Sequence, residues 1–140
     1  RRSSDLDQAR KQQIEIIYIQ HIETEEALTS EDWKLSPLLK RQSDEKVFQK
    51  RYNSIFKETG LKEYLDQQGI EKLVLCGMQT EYCVDTSVKV AFEHGYKLVV
   101  PEGTVTTFDG DDIPAETIND FYENIWDERF ADVLDYKTIF

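Results

Sequence analysis

The sequence predicts an α/β fold in three layers, a mostly parallel, Rossmann-like sheet with helices on both faces. Three observations lead there. Apolar, β-branched runs of strand length recur at "IEIIYIQ" (14–20), "KLVLC" (72–76) and "YKLVV" (96–100), and they read as strands buried on both faces. Segments with helical spacing of apolar residues separate them. The separations leave room for the crossover connections that parallel neighbours need.

"LDQARKQQ" (6–13) has the polarity of a helix's last turns and runs into the first strand. Residues 23–43 are polar and hold Trp33 and Pro37, so a loop with short helical pieces is expected. "KVFQK" (46–50) suits a short second strand. Leu61, Tyr64 and Leu65 fall at helical spacing, with Thr59 as N-cap and Gly69 in the C′ position. The run 72–76 is a buried strand ended by Gly77. A helix follows with Val84, Val88, Ala91 and Phe92 on one face, and Gly95 stops it. Pro101 ends the strand 96–100. Residues 114–130 form another amphipathic helix with Pro114 near its first turn, and "ADVLD" (131–135) suits a last short strand. No repeat, low-complexity tract or linker interrupts the pattern, so residues 1–140 are expected to form a single domain.

The formal net charge of −11 disfavours nucleic acid and anionic lipid as partners. Ten carboxylates and one basic residue, Arg129, lie between Asp109 and Asp135; such a run reads as a solvated face. No stretch is long and apolar enough for a membrane span. The opening arginine pair resembles a signal's charged region, but no apolar segment follows it. Two cysteines, Cys76 and Cys83, are too few for a disulfide scaffold and match no zinc spacing. A reduced, cytoplasmic setting is the expectation.

Chemistry is expected where the strand ending at Gly77 turns into the next helix. In open α/β sheets ligands bind beyond the carboxyl ends of strands. A cysteine in the first helical turn there meets unpaired backbone N–H groups and the positive end of the helix dipole, which favour a thiolate and a developing oxyanion. Cys83 holds that position. Taken alone, it reads more readily as small-residue packing than as a nucleophile. Cys76, flanked by apolar strand residues, reads as a buried, inert thiol. Lys50 closes the short strand 46–50; it is either a surface lysine or the cation such a thiolate needs, and spacing does not decide between them.

The stretch "LCGMQTEYCVDTSVKVAFEHGYKLVVPEG" carries Gly77, Met78, Thr80, Cys83, Val84 and Thr86, followed by "HGY" before the next strand. It resembles the signature of the isochorismatase-like cysteine hydrolases. A second block, "KRYNSIFKETGLKEYLDQQGIEKLVLCG", is similar to the family's segment at Lys50, Ser54, Phe56, Thr59 and Leu61. "IEIIYIQH" followed by "DWKLSPLL" is similar to the strand and Trp-containing loop before it, so the likeness runs from about Gln13 to Val105. The resemblance implies the isochorismatase-like hydrolase fold and hydrolysis of a C–N bond in a small amide, carbamoyl or imide-like substrate through a thioester. It implies Cys83 as nucleophile and Lys50 as the charge that holds the thiolate. It also implies a cis peptide bond between Met78 and Gln79, with the N–H groups of Gln79 and Cys83 as oxyanion donors. It implies a homodimer or higher homo-oligomer acting on a small-molecule substrate. No metal or other cofactor is expected, because the Asp-x-His…His cluster of the nicotinamide-hydrolysing branch has no counterpart.

Trp33, Tyr82 and Phe108 are candidates to line a pocket for a small planar ligand, and each also reads as an ordinary core or surface residue. Thr106 and Thr107 are candidate hydroxyl donors to the substrate. His21 and His94 read as structural or exposed histidines. One part of the family pattern has no match. The family carries a catalytic Asp at the end of a first central strand, whereas "DLDQ" (5–8) has no apolar run before it and lies too close to the next strand for a crossover. Asp5 and Asp7 are therefore poor candidates. The expectation is an upstream strand, bearing that Asp, outside these residues; the alternative is a catalytically silent binding or interaction protein on the same fold.

Overall fold

The computed structural model describes residues 2–140; Arg1, half of the opening arginine pair, lies outside them. Among the described residues the chain runs α1 (Arg2–Lys11), β1 (Ile17–His21), β2 (Lys46–Lys50), α2 (Leu61–Gln67), β3 (Lys72–Val74), β4 (Gly77–Met78), α3 (Asp85–Glu93), β5 (Lys97–Pro101), β6 (Val105–Thr106), α4 (Ala115–Trp126) and β7 (Asp132–Leu134). Three short 3-10 turns fill the polar stretch between β1 and β2. Every strand pairing is parallel: β1 with β2, β5 between β3 and β7, and β4 with β6. The three-layer α/β/α architecture is thus the one the alternation of strand and helix predicted.

The core explains why these segments take these forms. Leu61 and Leu65 of α2, Val88 and Ala91 of α3, Leu98 and Val100 of β5, and Trp126 of α4 form one buried cluster. Leu61 and Leu65 are four residues apart, as are Val84 and Val88, so each pair covers one helical stripe. Burying such stripes against a sheet is the main stabilising contribution to helices this short. Gly69 (φ +66°) and Gly95 (φ +90°) take the left-handed conformation that ends α2 and α3. The N-terminus of α2 differs from expectation by one residue. Gly60 is the cap, and Thr59 accepts from Leu61 N through Oγ1 while donating to Ile55 O.

Two burial expectations are corrected. The strand expected over 72–76 is regular only to Val74, its residues are exposed or half-buried, and Cys76 is exposed. The reason is edge position: among the described strands β3 pairs only with β5. Phe92 is 43% exposed and does not join the core; it meets Phe130 edge-on at the rim of α3, ring centroids 5.4 Å apart.

The N-terminal helix is pinned by a buried ion pair. Arg10 donates from Nε to Glu45 Oε1 at 2.7 Å and from Nη2 to Glu45 Oε2 at 3.1 Å. Glu45 Oε2 also accepts from the Tyr18 hydroxyl (3.2 Å) and from Gln42 N (2.8 Å). The guanidinium holds the Glu45 carboxyl below its ordinary range against the opposing effect of burial.

Candidate active site

The parallel pairing of β1 and β2 is in register, so His21 stands beside Lys50 at the carboxyl ends of the two strands. Parallel strands place their carboxyl ends on one edge, where crevices form. Lys50 is 5% exposed, and its ammonium is accounted for atom by atom. It donates to Tyr52 O (2.7 Å), Asn53 O (3.2 Å) and Cys83 Sγ (3.0 Å), and His21 Nδ1 lies 3.0 Å away. Among the described residues these are its hydrogen-bond partners, and no carboxylate is among them.

Cys83 arrives from the other side. After β4 the chain forms a π-helical turn, Thr80–Val84, that continues into α3, with Cys83 two residues before the helix begins. Gln79 O accepts from Tyr82 N and Val84 N and closes this turn. Thr80, fully buried, donates from Oγ1 to Asn119 Oδ1 of α4 at 2.6 Å. The Met78–Gln79 peptide bond is cis. Wide π turns recur at functional sites because they re-aim one side chain out of the helical repeat. The loop that supplies the two carbonyls is clamped to α3 where Ile55 N donates to Ser87 Oγ at 3.2 Å, and is closed on itself where Phe56 N donates to Ser54 Oγ at 3.0 Å.

The structure therefore brings together Lys50 and Cys83, which spacing alone left apart, and adds two groups that sequence reasoning missed. His21 Nδ1 and Asn53 Oδ1 each lie 3.9 Å from Cys83 Sγ. His21 is exposed, as expected, but it also faces the sulfur. Partial burial and the neighbouring Lys50 charge push the imidazole below its ordinary value, and Glu23 acts in the opposite direction. The available signal was positional: both His21 and Lys50 close their strands. His94 is exposed and packs edge-on against Phe56, centroids 5.1 Å apart.

The other candidates are placed as follows. Tyr82 and Phe108 are 55% and 66% exposed, and Met78 is 50% exposed. Trp33 is half-buried and accepts from Gln20 Nε2 through its backbone carbonyl. Thr107 donates to Glu81 Oε1 at 2.7 Å, so its hydroxyl hydrogen is committed to the elbow. Asp5 and Asp7 lie on α1, where Asp7 pairs with Arg10. A cavity of about 230 Å³ is lined by Ile22, Gln49, Arg51, Tyr52 and Glu58; neither Cys83 nor His21 is among them. No described helix is long and apolar enough to cross a membrane.

A family model described as "Isochorismatase domain" matches residues 4–137. An isochorismatase family protein of Bacillus subtilis, YddQ, is 37% identical over 79 residues, 54% of this chain and 44% of its own length. Streptothricin hydrolase of Streptomyces noursei is 34% identical over 83 residues, 59% of this chain and 29% of its own. Maleamate amidohydrolase of Pseudomonas putida is 37% identical over 59 residues, 42% of this chain and 28% of its own. The matched part of the chain thus spans less than half the length of each of these relatives. Among solved structures, an isochorismatase family protein superposes with a TM-score of 0.90 at 32% identity, covering 95% of this chain and 80% of that one. An isochorismatase from Pseudomonas putida superposes with a TM-score of 0.90 at 29% identity, covering 97% and 74%.

Proposed function

The chain belongs to the isochorismatase family, and from that premise we propose that it is a cysteine hydrolase cleaving the C–N bond of a small amide, carbamoyl or imide-like substrate, a reading supported by relatives named as hydrolases. The observation that carries the proposal is the 3.0 Å contact between Lys50 Nζ and Cys83 Sγ. An ammonium donating to sulfur favours thiolate over thiol, and the thiolate is the nucleophile. A neighbouring relative named for maleamate amidohydrolysis supports an amide as the substrate class.

In this reading Cys83 Sγ attacks the substrate carbonyl carbon. The backbone N–H groups of Gln79 and Cys83 face the resulting oxyanion; removing one such donor typically costs about 3 kcal/mol of barrier. The C–N bond then breaks, the amine leaves with a proton, and a thioester remains for water to hydrolyse. Lys50 donates to the sulfur and holds it in place. Tyr82 and Phe108, exposed around the elbow, and Trp33 beside the end of β1 are the proposed substrate contacts. The resemblance assigns the acid–base step to an Asp outside the described residues. The working unit is proposed to be a homodimer or higher homo-oligomer.

Ammonia release from a panel of small primary amides and carbamoyl compounds tests the proposal. Turnover is expected in the wild type and absent in Cys83→Ala; equal release by both refutes a Cys83 nucleophile. A second reading, a silent binding protein on this fold, is favoured by the Lys50 ammonium having no carboxylate among its partners in the described residues. It predicts that ligands from the same panel bind both proteins alike and leave unchanged.

A further inference from the structure

The acceptors around Cys83 differ in whether the Lys50 ammonium engages them. It donates to Tyr52 O (2.7 Å) and Asn53 O (3.2 Å) and stands 3.0 Å from His21 Nδ1. Asn53 Oδ1 is not among its partners. That oxygen lies 3.9 Å from Cys83 Sγ, and among the described residues the thiol is its hydrogen-bond donor. A thiol is a weak donor, and once ionised it has no hydrogen to give. The carboxamide oxygen then faces the attacking sulfur with its lone pairs open to whatever binds there.

Asn53 is held by its main chain. Its carbonyl accepts from Lys50 Nζ and, at 3.5 Å, from Ser87 Oγ of α3, while the residue itself is exposed. A fixed backbone thus presents an uncommitted carboxamide beside the nucleophile, an arrangement suited to selecting substrates. In a near-attack complex the substrate carbonyl carbon stands about 3–3.5 Å from the nucleophile, and an N–H···O bond spans about 2.7–3.2 Å. With Oδ1 3.9 Å from Sγ, an atom bonded to that carbon falls within its reach. The carbonyl oxygen is not that atom, because two acceptors do not pair and the N–H groups of Gln79 and Cys83 take it. The scissile nitrogen carries the complementary donor.

We propose that Asn53 is a specificity-determining residue of this site, its Oδ1 accepting from the N–H of the scissile nitrogen. The substrate class is then amides and carbamoyl compounds whose nitrogen bears hydrogen, and N,N-disubstituted amides are rejected. The inference rests on the cysteine-hydrolase reading above. Asn53 moves no proton, since a carboxamide does not titrate near neutral pH; the acid–base step stays assigned to the Asp outside the described residues. An N,N-dialkyl nitrogen leaves Oδ1 without a donor and sets a methyl group against it, which is the stronger of the two ways to discriminate.

The test needs no known substrate. Iodoacetamide and N,N-dimethyl-iodoacetamide deliver the same alkylating carbon and differ in the N–H groups beside it. Alkylation of Cys83 and Cys76 by each probe is followed by peptide mass spectrometry. Cys76, exposed, gives the intrinsic ratio of the two probes in the same molecule. Wild-type Cys83 is expected to favour iodoacetamide about tenfold beyond that ratio. Asn53→Leu keeps the branched shape, removes the acceptor, and should bring the preference down to the Cys76 ratio with unchanged far-ultraviolet circular dichroism. Asn53→Asp keeps an acceptor and adds a negative charge beside the sulfur, so both probes should slow while the preference persists. A wild type without the preference overturns the proposal. An Asn53→Leu protein that retains it also does so, because crowding rather than a hydrogen bond then selects the probe. Cys83 reacting no faster than Cys76 with either probe overturns the hydrolase reading instead. The ratio between probes is independent of that absolute rate, so the two failures are told apart.

Discussion

Replacing Lys50 by Met isolates the charge at the sulfur. The methionine chain fills nearly the same volume, so the buried stem stays packed and the ammonium is lost. At 3.0 Å, two unit charges in an effective dielectric of about 20 interact by roughly 5 kcal/mol before desolvation. The sulfur is only half-buried, so water recovers part of that. A charge-assisted hydrogen bond of about 1.5–3 kcal/mol is the better measure. That corresponds to a fall of roughly ten- to a hundredfold in the rate of Cys83 alkylation by iodoacetamide. The carbonyls of Tyr52 and Asn53 lose their donor at the same time, which costs about 1–3 kcal/mol of stability. Rates are therefore compared well below the melting transition, with Cys76 in the same sample as reference. A Lys50→Met protein that is folded and alkylates Cys83 at the wild-type rate would refute the electrostatic account of the nucleophile.

Cys76→Ala is expected to change stability by less than about 0.5 kcal/mol by urea denaturation, because the side chain is exposed. Leu65→Ala, at a position 1% exposed, should cost about 2–5 kcal/mol in the same measurement and leave the Cys83 alkylation rate unchanged below the transition. Glu45→Gln should cost about 1–3 kcal/mol, because it removes the carboxylate charge that accepts from Arg10 Nε and Nη2 and leaves the guanidinium only its more exposed contact with Asp7 as an ion pair. Acid titration probes the same pair. The folded Glu45 carboxyl lies below its ordinary value of 4.5, so the unfolded chain binds the proton first. Its stabilisation is complete above that value and is lost as pH falls through the lower folded one. Urea midpoints should fall less steeply with acid in Glu45→Gln than in the wild type.

Local chemistry made much of the fold readable in one dimension. The run 46–50 is a strand to the residue, and Gly69 and Gly95 end helices because the left-handed conformation they take is costly for other residues. Burial was harder to read. Cys76 and Phe92 carry apolar neighbours at the right spacing, yet one follows the edge strand β3 and the other lies at the rim of α3. Periodicity reports which residues share a face, not how far a neighbouring layer extends over it. The short β4–β6 pair escaped notice because two residues per strand carry no pattern.

The candidate site divides along the same line. From the chain alone come the residue types and their local settings: a cysteine where a strand turns into a helix, a lysine closing a strand, and the motif blocks that tie both to one family. These are short-range properties, set by neighbours within a turn or a strand. Only the tertiary structure decides that strand register sets His21 beside Lys50, and that packing of α3 against the loop after β2 places Cys83 sulfur 3.0 Å from the ammonium. Those distances join residues 29 and 33 positions apart. They depend on crossovers and packed layers, which no local pattern encodes.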